Sequence, residues 1–235
     1  TDPWKHGQAV HLRVEALLAL AADEKRTEAE AEESLKQARA IAESAEDRIR
    51  TALAMGDHLR LRQRFLEACG QYLLLALSPA GDEMVSLEKG LEQEARLLAN
   101  QRLAGVISQL SAEDRKTLAH RARQQLSEGL NNRDADSLRR LMDCPAAADA
   151  SYDARLHLAI WAIENLQFEQ AESLLRQIVN HGASPETRAE AAARLAAICL
   201  LPGELHQPVT GAALLDRLQT EWDGVEIPAD VLADP

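Results

Sequence analysis

Apolar residues recur along this chain at three- and four-residue intervals, and between Asp153 and Ser184 they do so twice, with a break between the two runs. Leu156, Ala159, Ile160 and Ile163 form one stripe and Ala171, Leu174, Leu175 and Ile178 the next, while Glu164, Glu169, Glu172, Arg176 and Gln177 take most of the intervening places. Glu164-Asn165-Leu166-Gln167 separates the stripes: Asn165 can end a helix, and Phe168 can fill the angle between two of them. The pattern predicts two short amphipathic helices folded back on one another. Ala159 and Ala171 are small enough to let the backbones approach closely.

One such hairpin cannot bury its own apolar face, so the pattern has to recur. The intervals of Leu158, Ala159, Ala162, Ala171, Leu175 and Ile178 return near the start as Leu18, Ala19, Ala22, Ala31, Leu35 and Ala38. A stretched copy begins at Leu195-Ala196, widens over the insertion LPGELHQP with Pro202 and Pro208, and ends through Gly211, Leu215 and Leu218. This layout resembles the tetratricopeptide repeat, a helix-turn-helix unit of about 34 residues. Leu158-Ala159-x2-Ala162 and Ala171-x3-Leu175 match its spacing; Arg155 stands where it has tryptophan, Ala162 where it has tyrosine, and Pro185 falls later than its proline. The resemblance implies an all-α fold of antiparallel helical hairpins stacked as a TPR-like α-solenoid, with longer helices in the N-terminal half. In such arrays the first helices of successive units line a concave groove that takes an extended peptide or a helix. The matching groove-facing positions here are Asp153, Leu156, Ile160, Ile163, Glu164, Glu190 and Ala197. That set is apolar with an acidic edge. It suits an amphipathic partner helix carrying basic residues, and it equally suits coverage by the chain's own neighbouring helices.

Elsewhere the periodicity predicts a helix from about His11 to Ala22 with Trp4 packed on it, a break over 23–27, and one long polar helix over 28–53. Gly56 reads as its stop and Asp57 as the cap of an apolar helix over 58–77, the N-terminal core. Arg60 and Arg64 fall one turn apart on the opposite, solvated face. Ser78-Pro79-Ala80-Gly81 predicts a turn, Asp82 the cap of a long helix to about Leu110, and Ser111 with Asp114 a further helix start. That helix runs to Leu130, and after Asn131-Asn132 a short one passes through Leu138, Leu141 and Met142. Pro145 and the alanines after it mark a junction, giving an N-terminal helical domain over 1–143, TPR-like hairpins over 149–225 and an acidic tail over 226–235.

Composition supports the helical reading: alanine, leucine, glutamate and arginine abound, and aromatics make up only 3%. The net charge of −12 is uneven, because residues 149–235 hold 14 acidic against 5 basic side chains. An acidic surface repels phosphate backbones, so no nucleic-acid partner is expected. No apolar run is long enough for a membrane span. Cys69, Cys144 and Cys199 are odd in number and widely spaced, which gives no disulfide framework and fits a reducing, cytoplasmic setting. The chain starts at Thr1, which fits a trimmed form or a soluble part of a longer protein.

The arrangements that catalysis or metal binding would show in sequence do not occur. There is no Glu-x-x-His pair, no His-Glu-x-x-His helix, no phosphate-binding glycine loop and no nucleophile elbow. Asp57-His58 is a poor acid/base pair because adjacent helical residues diverge. His157 and Trp161, one turn apart, fit a recognition patch or, more simply, a histidine at the margin and a tryptophan packed between repeats. The sequence therefore predicts no catalytic residue, no cofactor and no metal. It predicts a non-enzymatic, bacterial-type adaptor or scaffold that holds a protein partner. The alternative is a homo-oligomeric structural component in which the long polar helix pairs between chains.

Overall fold

The structure, a computed structural model, describes residues 3–23, 25–86, 91–182, 184–202 and 206–227. These are all-helical apart from one two-stranded antiparallel ribbon. The chain forms two compact units. The described residues of Thr1–Leu118 and Cys144–Ala146 make one, and those of Ala119–Asp143 and Ala147–Pro235 the other.

The first unit begins with α1 (Pro3–Ala22), α2 (Glu28–Ile41), α3 (Ala45–Leu61) and α4 (Phe65–Leu77), each packed on its neighbour in sequence. Helix α1 starts eight residues before the predicted His11 and takes in Trp4, which is largely exposed. The predicted break after Ala22 holds, and Thr27 closes it with a capping box: its hydroxyl accepts from the Glu30 amide while the Glu30 carboxylate accepts from the Thr27 amide. Ala31, Leu35 and Ala38 are buried as predicted; Ala19 and Ala22 are exposed, and Val14 is the fully buried residue of α1.

The single long helix predicted over 28–53 does not form. It breaks at Ala42-Glu43-Ser44, where the Ser44 hydroxyl accepts from the Asp47 amide and starts α3 afresh. Alanine-rich sequence hides such a break because neither side of it contains glycine or proline. Asp47 is itself buried, and its carboxylate meets His11 Nδ1 at 2.7 Å, tying α3 to α1.

Gly56 and Asp57 are not a helix boundary either. Helix α3 runs through both, and Gly56 is glycine because Tyr72 of α4 lies against it; a methyl group there would penetrate the ring. The chain reverses instead at Arg62-Gln63-Arg64. Gln63 adopts a left-handed conformation (φ 59°), its amide bonds to Arg60 O at 3.0 Å, and the Arg64 amide bonds to Leu59 O at 3.0 Å. That pair of bonds is the Schellman closure of a helix. Tyr72 in turn donates to Asp57 Oδ1 at 2.8 Å, and Arg102 Nε holds the same carboxylate from α5 (Ala95–Ile107).

The long helix predicted from Asp82 is also absent. A short 3-10 turn (Pro79–Asp82) leads into β1 (Met84–Ser86), which pairs with β2 (Glu92–Glu94) before α5 begins; the predicted apolar position Leu87 lies outside the described residues. Ser111 does start the next helix, α6 (Ala112–Asn131), accepting from the Asp114 amide at 3.1 Å. The boundary between the units falls within α6.

In the second unit α6 is followed by α7 (Ala135–Met142), α8 (Asp149–Glu164), α9 (Phe168–His181), α10 (Pro185–Leu200) and α11 (Pro208–Thr220). The hairpin predicted over 153–184 is present as α8 and α9, with Ala159 and Ala171 fully buried. Its turn repeats that of Gln63: Leu166 (φ 59°) bonds to Ile163 O and the Gln167 amide to Ala162 O at 2.8 Å. Arg133 (φ 50°) between α6 and α7 does the same with Leu130 and Gly129. Helix α10 packs on α9, α11 and, more lightly, α8. Gly211 of α11 seats against Leu200 as the stretched copy requires, but Leu214 faces inward and Leu215 is partly exposed. Residues 203–205 of the insertion and the tail beyond 227 lie outside the described residues.

Two glycines separate close packing from helix propensity. Gly56→Ala should cost about 1–3 kcal/mol by overpacking against the buried Tyr72 ring. Gly105→Ala, in α5 with open space around it, should gain about 0.5–1 kcal/mol. Urea denaturation of the two variants should therefore move in opposite directions; equal shifts would contradict the packing described.

Candidate polar face of helices α8 and α10

The seven positions matched to a repeat groove lie on α8 and α10, the first helices of consecutive hairpins. Leu156 is buried and belongs to the core. Ile160, Ile163 and Ala197 are half-buried, Asp153 and Glu190 likewise, and Glu164 is exposed. Five groups meet across the two helices. Thr187 Oγ1 donates to Asp153 Oδ1 at 3.3 Å, Arg194 holds Glu190 at 2.8 Å, and His157 stands close enough to Asp153, Glu190 and Arg194 to feel all three charges. The Ser184 cap positions the start of α10 for this, because its hydroxyl accepts from the Thr187 amide at 3.1 Å.

Burial governs the titration of both central groups. It pushes the Asp153 carboxyl up against the opposing bond from Thr187, and it pushes the His157 imidazole down despite the carboxylates of Glu190 and Asp153. The face thus carries one well-paired arginine, acidic oxygen atoms and a half-buried imidazole, with half-buried Ile160 and Ile163 on the same helix α8.

Glu164 belongs to a different place. It accepts from Arg133 Nη2 at 2.6 Å, and the same guanidinium lies 5.8 Å from the Trp161 ring. Together with Arg139, Asn165, Gln167 and Gln170 these residues edge a shallow polar pocket of about 340 Å³ beside the Leu166 turn. His157 and Trp161, one turn apart in sequence, therefore look onto separate surroundings. Asp57 and His58 also part company. Asp57 is engaged by Tyr72 and Arg102, while His58 comes within 4.8 Å of donor atoms on Glu28 and Glu32, a convergence between α2 and α3 that neither segment's sequence displays.

The three cysteines are buried, and burial raises the Cys69 thiol to about 11. Among the described residues no helix is long and apolar enough to cross a membrane. No family model matches the chain, and no curated protein and no solved structure matches it either.

The lowered His157 value has a definite consequence for stability. The unfolded chain takes up a proton at this residue near pH 6.5 and the folded chain does so only at lower pH, so stability is present above about pH 6.5 and drains as the pH falls below it. His157→Gln should flatten that decline in urea titrations between about pH 7.5 and 5.5. An unchanged pH profile would contradict the burial assigned to the ring.

Proposed function

We propose that the chain is a non-enzymatic scaffold or adaptor that holds a protein partner on the α8 and α10 face of its second unit, its hairpins being tetratricopeptide-like repeats. The observation that carries this reading is the recurrence of one turn. Gln63, Arg133 and Leu166 each reverse a helix through the same left-handed residue and the same two hydrogen bonds. The first helices of consecutive hairpins also meet, α1 with α3 and α8 with α10. Serial hairpins of this kind gain stability from neighbouring contacts and leave one edge of each first helix for a ligand.

The half-buried Ile160 and Ile163 supply apolar anchors, and Asp153, Glu190 and the surplus of acidic residues beyond 149 favour a partner with basic side chains. An amphipathic helix with lysine or arginine beside its apolar stripe fits both features. The buried, free thiols of Cys69 and Cys199 fit a reducing compartment such as the cytoplasm.

Affinity capture on the immobilised chain, with bound proteins identified and titrated against it, tests the reading. Ile160→Asp and Ile163→Asp should each weaken the partner by about thirtyfold, the scale of an interface anchor, with helical content unchanged. Full retention of the same partner by both variants would place docking elsewhere.

A further inference from the structure

We infer that Glu28, Glu32 and His58 form a binding site for a divalent transition-metal ion, of which zinc is the representative. One donor atom from each residue lies within 4.8 Å of the other two, a convergence that small side-chain rotations can close onto one ion. Glu28 and Glu32 are one turn apart at the start of α2, so their carboxylates share a helix edge. His58 arrives from the last turn of α3, which packs on α2. Its Nε2 is enclosed and has no hydrogen-bond partner among the described residues, although an imidazole nitrogen taken from water ordinarily acquires one. A metal ion is a partner that an unprotonated nitrogen in this position can take.

Charge and orientation agree with that assignment. Glu32 Oε1 accepts from Arg64 Nη1 at 2.6 Å, which leaves its second oxygen for the ion and fixes the carboxylate's direction. The Arg64 charge is balanced from its other side, where Nε and Nη2 both donate to Glu67 at 2.7 Å. The two site carboxylates are thus free to neutralise a dication. A set of two carboxylates and one imidazole suits zinc and its first-row neighbours better than calcium or magnesium, which favour oxygen alone. Glu28 is exposed, so the remaining coordination position opens to solvent and takes water or a side chain from outside the chain. The ion would clip the start of α2 to the end of α3, next to the turn at Gln63.

The test is calorimetric titration of the full chain with zinc ions, repeated on His58→Ala, Glu32→Gln and Glu28→Gln, with thermal melting alongside. The expected result is one ion per chain. Binding should weaken about tenfold or more in the His58 and Glu32 variants. Zinc should raise the melting temperature of the wild-type chain and not that of His58→Ala. Glu32→Gln keeps the size and polarity of the side chain, so it gives a reading even if the alanine variant is poorly folded. No saturable uptake overturns the site. So does uptake that the His58, Glu32 and Glu28 variants all retain in full, which would mark adventitious binding at a surface histidine such as His6.

Discussion

Three pairs of helices in this chain double back within three residues by sending one of them into the left-handed region, and the hairpins of this structure are built on that reversal. Gln63, Arg133 and Leu166 make it without glycine, each accepting conformational strain that costs on the order of 1–2 kcal/mol. What offsets the strain is the closure of the helix end through two backbone bonds and the packing that the reversal permits. Once the two arms of a hairpin run side by side, small residues set how near they come. Ala159, Ala162 and Ala171 are buried in one hairpin, and Gly56 lies under Tyr72 in another.

This close packing explains the low aromatic content and the many buried alanines. Helices separated by alanine need few large side chains to fill the space between them, and stability comes from many small contacts instead of a few large anchors. It also explains where polar groups are permitted. Asp47 is buried because His11 meets it, and the half-buried Asp57 and Asp153 are met by Tyr72 with Arg102 and by Thr187. Each of these carboxylates ties one helix to another, so the polar residues inside the hairpins reinforce the register that the alanines allow.

Much of the helical character was legible from spacing, and the hairpin over 153–184 was legible in detail, because its two stripes are separated by a turn that contains no competing helical signal. The boundaries in the N-terminal half were not. Ala42-Glu43-Ser44 has only a serine to announce a new helix, and in alanine-rich sequence that signal is weak. Gly56 read as a stop since glycine usually marks a backbone need; here the need is for space beside Tyr72, which only the folded arrangement reveals. The ribbon of β1 and β2 was hidden because Met84-Val85-Ser86 and Glu92-Gln93-Glu94 are too short to establish alternation. Of the positions expected to face a groove, Asp153 and Glu190 both lie near enough to His157 to act on its charge, whereas Leu156 belongs to the core and Glu164 to the pocket beside Trp161. The Glu28, Glu32 and His58 convergence joins residues from separate helices, and no spacing rule within one segment can detect such a set.

Backbone chemical shifts and scalar couplings of Gln63, Arg133 and Leu166, measured by nuclear magnetic resonance in solution, test the account at its root. Positive φ at all three, with helical values on either side, is the predicted result. An unbroken helical shift pattern through 58–77 or 153–184 would contradict it, since the hairpins and the face they present would then not exist.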